Sequence, residues 1–266
     1  MKAFQPNSHQ AKKRFGQNFL QDEAIIERIV KSIRPKASEA MVEIGPGLGA
    51  LTRKVLAETQ AISVIELDRD VIPKLKFNCD GLGQLTIYEQ DALKTDFTEI
   101  AQGHKIRVIG NLPYNISTPI MFRLYEQLDV IHDMHFMLQK EVVERMVAHP
   151  GSKAYGRLSV MTQYACEAQM LFVVPPHAFF PPPKVDSAII RLTPKANPLP
   201  LKDSRLFASV VMEAFNQRRK TVRNVWKKRL VVEDYEVLAI DSGLRPENLS
   251  LDDFVRVANF ISERAE

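Results

Sequence analysis

A parallel, doubly wound α/β sheet followed by a small helical domain is the fold class that this 266-residue sequence predicts. Two observations predict it. Up to about residue 194, short apolar and β-branched runs alternate with stretches of helical periodicity, the pattern of strands joined by crossover helices. Beyond the proline-bearing linker at 195–200 only helical patterns remain. The domains are therefore placed at 1–194 and 195–266.

Residues 41–45 are the first strand; the turn Pro46-Gly47-Leu48-Gly49 follows, and Leu51, Val55 and Leu56 then fall at helical spacing. Strands continue at 61–67, 85–88, 106–109 and 134–138, with helices at 71–78, 118–127 and 141–148 between them. Two further strands, 171–174 and 188–192, flank the run 175–183, whose prolines remove backbone donors and exclude a helix. Helices at 204–216, 222–230, 233–240 and 251–261 make up the second domain, the last with Ser250 as its cap.

Composition narrows the function classes. With 45% hydrophobic and 26% charged residues, disordered, collagen-like and fibrous readings drop out. Cys79 and Cys166 stand far apart with no CxxC partner, which argues against a disulfide scaffold, a zinc ribbon or a redox dithiol and for a reducing cytosol. The six histidines show no ligand spacing, so no metal is expected. No window approaches the roughly 20 apolar residues of a membrane span, and the first 21 residues lack the apolar stretch of a secretory signal. They are basic and free of acid, so a transit-peptide reading stays open. The net charge is +4, yet residues 216–229 alone carry seven basic side chains and no acid, leaving −3 for the remainder. That segment holds Arg218, Arg219, Lys220, Arg223, Lys227, Lys228 and Arg229; Lys12, Lys13 and Arg14 form a second cluster in the amino-terminal arm. Charge concentrated in this way is the footprint of a nucleic-acid binder, although a solvated helix face is the ordinary fate of a charge run.

Three strand ends carry candidate ligands for a nucleoside. Gly45 and Gly47 let the backbone turn and approach a ligand with no Cβ in the way. Glu66, 21 positions after Gly45, ends the second strand, where a carboxylate accepts two bonds from a ribose diol. Asp91 follows the third strand, placed either to meet an adenine amine or to cap a turn. With Ala50, the glycines also satisfy a dinucleotide fingerprint, so the loop alone leaves a nicotinamide dehydrogenase open.

Asn111-Leu112-Pro113-Tyr114 after the fourth strand is more specific. The amine of adenine is a poor nucleophile because its lone pair is delocalised into the ring. Two acceptors, the Asn111 side-chain oxygen and the Leu112 carbonyl held open by Pro113, can take both amine hydrogens and aim the lone pair at an electrophilic methyl, while the Tyr114 ring stacks on the base. An ordinary strand-terminating turn is the competing reading.

These motifs, together with residues 13–20, the segment Phe179-x-Pro181-x-Pro183-x-Val185-x-Ser187 and the run 215–224, resemble the 16S ribosomal RNA adenine dimethyltransferase family, the kasugamycin-resistance methyltransferases, over nearly the whole chain. The resemblance implies a Rossmann-like methyltransferase sheet, S-adenosylmethionine as methyl donor, and two adjacent adenosines in a 3′-terminal hairpin loop of 16S rRNA in the pre-30S subunit, each dimethylated on its exocyclic nitrogen. By the same resemblance Asn18 and Leu20 lie over the donor, Gly45 approaches its amino-acid end, Glu66 its ribose and Asp91 its adenine, with Asn111 shared between donor and target. Phe179 is the matched aromatic behind the target base, and Phe180 offers a second ring beside it. A cytoplasmic monomer is expected. The alternatives are a 23S rRNA methyltransferase of the macrolide-resistance type, against which the run 218–223 speaks, and a non-enzymatic RNA-binding assembly or transcription factor, against which the intact Asn111 motif speaks.

Overall fold

The computed structural model describes residues 17–196 and 198–264. A short strand β1 (Phe19–Leu20) leads into helix α1 (Glu23–Ile33), whose first turn is capped by Asp22 and which buries Ile26, Ile29 and Ile33 on one stripe. Then come β2 (Ala40–Ile44), α2 (Thr52–Thr59), β3 (Ala61–Ile65), α3 (Ile72–Cys79), β4 (Gln84–Tyr88) and the short α4 (Phe97–Ala101). They are followed by β5 (Ile106–Asn111), α5 (Ser117–Tyr125), β6 (Ile131–Gln139), α6 (Lys140–Met146), α7 (Arg157–Ala165), β7 (Cys166–Val174), β8 (Phe179–Phe180) and β9 (Ser187–Pro194). The second unit adds α8 (Ser204–Asn216), α9 (Val222–Val225), α10 (Val232–Val237) and α11 (Leu251–Glu263), the last opened by a reciprocal cap between Ser250 and Asp253.

Seven strands form one sheet in the order β4-β3-β2-β5-β6-β9-β7. The first five are parallel, as the alternating pattern predicts. β9 is antiparallel to β6, so the sheet is mixed rather than parallel throughout. A parallel entry needs a crossover of a dozen or more residues, usually helical, and the proline run before β9 offers none. That run is not wholly without helix: Pro176–Ala178 makes a single 3₁₀ turn, with proline at the position where its missing N–H costs nothing. β1 and β8 pair separately, Phe19 opposite Phe180 and Leu20 opposite Phe179.

Contacts divide the chain into two units, one of the described residues up to Val143 with Gln169–Pro194, the other of Glu144–Ala168 with the described residues from Lys195 onward. The sequence reading divides the chain once, at 194; by contacts the stretch 144–168 groups with the residues after 194. Its Tyr155 and Val160 are buried in the same cluster as Phe207, Trp226 and Phe254, a choice of core that apolar periodicity cannot express. The expected helix 222–230 also stops early: α9 ends at Val225, and turns carry the chain through Trp226, whose indole N–H donates to the Val210 carbonyl.

Candidate active site

β2 and β5 lie side by side, yet β2 continues outward to β3 and β4 before the chain returns to β5. In an open α/β sheet the crevice beyond such a switch point is where ligands bind. A cavity of about 340 Å³ opens there, at the carboxyl ends of β2 to β5. Its walls contain Asn18 and Leu20, the loop with Gly45 and Gly47, Glu66, Asp91, and the run 111–114. All ten residues that sequence reasoning assigned to cofactor and catalysis thus share one cleft.

The glycine loop is shaped by φ angles of +66° at Gly45 and +53° at Gly47, a region that residues with a Cβ rarely adopt. The Gly45 N–H donates to the Ile65 carbonyl, tying the loop to the end of β3. Gly47 donates to Glu66 Oε2 at 3.2 Å, and Asp68 N–H donates to Oε1 at 2.8 Å, so two main-chain donors fix the carboxylate against the loop. Burial pushes the Glu66 pKa up, and those donors oppose it. Each oxygen keeps a lone-pair direction for a hydroxyl. Asp91 caps the turn: its Oδ1 accepts from the Leu93 N–H at 3.0 Å, and the residue also lines the cleft.

Asn111 is the last residue of β5, and its side-chain Nδ2 donates to the Asn18 carbonyl at 3.1 Å. This orients the amide: one Nδ2 hydrogen is used, and Oδ1 has no partner among the described residues. Leu112 is buried and donates its N–H to Met137, which anchors the turn to β6. The Tyr114 hydroxyl and the buried Ser187 hydroxyl lie 2.7 Å apart, so the ring is tethered by its tip.

The two phenylalanines pair across β1 and β8 with Phe19 and Leu20, which line this cleft. Neither Phe179 nor Phe180 is in its wall. Phe179, the family-matched ring, is 4% exposed and packs in the core cluster with Leu20 and Ile189; Phe180 is 52% exposed. Strand alternation explains this, because neighbours on β8 point to opposite faces and the inner one fills the interior. The structure therefore removes Phe179 from the accessible surface and presents Phe180.

Sequence reasoning passed over Glu43. It sits at the end of β2, 2% exposed, receives the Thr52 hydroxyl at 2.6 Å and lines the cleft. Burial raises its pKa to about 7. An acid inside an apolar strand run was the available signal. Gln17 and Asp68 were missed too; they bond at 2.9 Å beside the glycine loop.

In the helical unit the basic segment is less uniform than its sequence. Arg218 donates to the carbonyls of Lys153 and Tyr155, and Arg229 forms a two-point pair with Glu213. Arg219, Lys220, Arg223, Lys227 and Lys228 are exposed and enter no ion pair among the described residues. The acids that partner the segment lie outside it, which a count over 14 positions could not see. Lys12, Lys13 and Arg14 lie outside the described residues. No cluster of three metal-ligating side chains occurs among the described residues, and no helix of them is long and apolar enough to cross a membrane.

Residues 8–263 match the family model described as ribosomal RNA adenine dimethylase. The chain belongs to that family. It is 54% identical over 260 residues to the ribosomal RNA small subunit methyltransferase A of Vibrio parahaemolyticus, covering 97% of each, and 54% identical over 257 residues to that of Pseudomonas aeruginosa, covering 96% of each. The crystal structure of a dimethyladenosine transferase from Plasmodium falciparum superposes with a TM-score of 0.79 at 27% identity, over 92% of this chain and 98% of the other. That of the 23S rRNA methyltransferase ErmE gives 0.70 at 23%, over 92% and 100%, and shares the fold. As a member of the adenine dimethylase family the chain is an rRNA methyltransferase with a Rossmann-like sheet that uses S-adenosylmethionine. The cleft suits that donor: a glycine cradle, a carboxylate held for hydroxyls and an apolar floor of Ile44, Leu51 and Ile65 share one cavity. A Cβ on Gly47 would meet the Phe19 ring at 3.2 Å and close the cradle.

Proposed function

We propose that this chain dimethylates the exocyclic nitrogens of two adjacent adenosines in a 3′-terminal hairpin loop of 16S rRNA, acting as a cytoplasmic monomer on the pre-30S subunit. The observation that carries the reading is the oriented Asn111 amide. With one Nδ2 hydrogen held by the Asn18 carbonyl, Oδ1 is left to accept from an incoming donor, and an adenine amine supplies one.

In this reading Asn18, Leu20, Gly45, Gly47, Glu66 and Asp91 hold S-adenosylmethionine, which supplies an electrophilic methyl group. Asn111 Oδ1 and the Leu112 carbonyl accept the two amine hydrogens and orient the lone pair. Tyr114, tethered through Ser187, stacks on the base, and Phe180 is the ring available for its other face. Stacking offsets part of the cost of unstacking the base, at about 1 to 3 kcal/mol per base. That the relatives are small subunit methyltransferases favours this substrate over the large subunit.

The test is to incubate the protein with labelled methyl donor and undermethylated small or large ribosomal subunits, then map the modified bases. Label on two neighbouring small-subunit adenosines is expected. Label confined to large subunits, or none on either particle, overturns the assignment.

A further inference from the structure

A second cavity, of about 460 Å³, lies at the opposite edge of the sheet from the methyl-transfer cleft, beside the amino-terminal ends of β5 and β6. Its floor is a row of polar residues crossing the sheet. Arg107 on β5 pairs in register with Asp133 on β6, and His135, two positions on, pairs with Arg191 on β9. Arg191 in turn donates to Gln169 of β7 at 2.5 Å.

Arg107 is fully used by the protein. Its guanidinium binds both Asp133 oxygens at 2.9 Å, Glu39 at 2.6 Å and the Ile33 carbonyl at 2.6 Å. It spends its charge on two carboxylates, so this trio totals −1. His135 is not used. The residue is 3% exposed, and neither ring nitrogen has a hydrogen-bond partner; Nδ1 is 3.8 Å from Asp133. A buried polar group left unpaired is destabilising, and an occupant of the cavity that bonds it would remove that cost. The rim gives the sign of that occupant: Lys31, Arg34 and Lys36 at the end of α1 enter no ion pair among the described residues, and Arg191 meets only the neutral Gln169. The lining is cationic by about three charges, without counting His132 or His135.

We propose that this cavity binds a phosphate group, with His135 and Arg191 giving directed hydrogen bonds and Lys31, Arg34 and Lys36 neutralising its charge. Burial, with Arg107 and Arg191 nearby, depresses the His135 pKa to about 4 against the opposing pull of Asp133. A bound phosphate adds negative charge beside the ring and raises it. The group belongs either to an RNA backbone or to free phosphate; the RNA source rests on the function proposed above, the free source does not.

Two arms test this on the full chain. In the first, the His135 ring resonances are followed by NMR while inorganic phosphate replaces chloride at constant ionic strength. A saturable shift is expected, weakened at least tenfold by Arg191→Gln and several-fold by Lys36→Gln, an exposed change that leaves the core untouched. In the second, small-subunit RNA binding of Lys36→Gln and Arg191→Gln is measured against salt, with methyl transfer by the unaltered chain assayed in parallel. A salt slope lower by about 0.7 to 0.9 assigns the phosphate to RNA. An unchanged slope with an intact NMR shift assigns it to free phosphate. No shift and no change in slope overturns the proposal, while failed transfer by the unaltered chain would count against the proposed function instead.

Discussion

Glu43 places a titration inside the cleft at the carboxyl ends of β2 to β5. Its carboxyl titrates near 7 in the folded chain against 4.5 in the open. The fold therefore retains a proton that the unfolded chain releases, and stability declines as pH rises from about 4.5 to about 7, then levels. Glu43→Gln keeps a neutral partner for Thr52 and is expected to flatten that decline, as denaturant midpoints between pH 5 and 8 would show. An unchanged slope would place the buried proton elsewhere. Ser187 acts from behind the cleft through Tyr114, whose hydroxyl its own meets. Ser187→Ala should lower kcat/KM for rRNA about tenfold, the equivalent of about 1.4 kcal/mol, and leave donor binding intact. Tyr114→Phe should behave alike, and steady-state kinetics on the two variants check it.

Among the elements, the β2–β5 pair is the one on which the cleft depends. Gly110, next to Asn111, lies so close to β2 that a Cβ there would be 2.6 Å from the Ile44 carbonyl oxygen. Backbone cannot yield as a side chain does, so Gly110→Ala is expected to cost about 1 to 3 kcal/mol and to displace Asn111, seen as a lower unfolding midpoint with weaker donor binding. Much of this architecture was legible from residues: the runs 41–45, 61–67, 85–88 and 106–109 each form a strand, and Gly45, Glu66, Asp91 and Asn111 converge because parallel strands end on one side. What was not legible is tertiary. Nothing local ties Thr52 to Glu43 or Asn111 to the carbonyl of Asn18, 93 positions away. The reversal of β9 and the helix Glu23–Ile33 went unread for different reasons: the first is a pairing choice between distant strands, whereas the second does carry a cap and an apolar stripe in its own sequence.

At the scale of the whole molecule, each of the two units has its own charge arrangement. In the helical unit the seven basic residues of 216–229 separate into structural and free groups, which the segment alone could not reveal because Glu213 and the carbonyls of Lys153 and Tyr155 come from elsewhere. Lys220→Ala should reduce the salt slope of rRNA binding by about 0.7 to 0.9 with unchanged stability. Arg229→Ala should instead lower stability by breaking the pair with Glu213 and leave the slope near its original value. Binding isotherms at several salt concentrations, with unfolding curves alongside, separate the two.

Methyl transfer by Asn111→Ala to undermethylated small subunits, measured together with its affinities for rRNA and S-adenosylmethionine, bears most directly on the amide acceptor. Loss of at least a thousandfold in rate with rRNA affinity within about twofold of the original is expected, since the change removes an acceptor and no phosphate contact. A variant that still dimethylates both adenosines at the original rate would contradict the account.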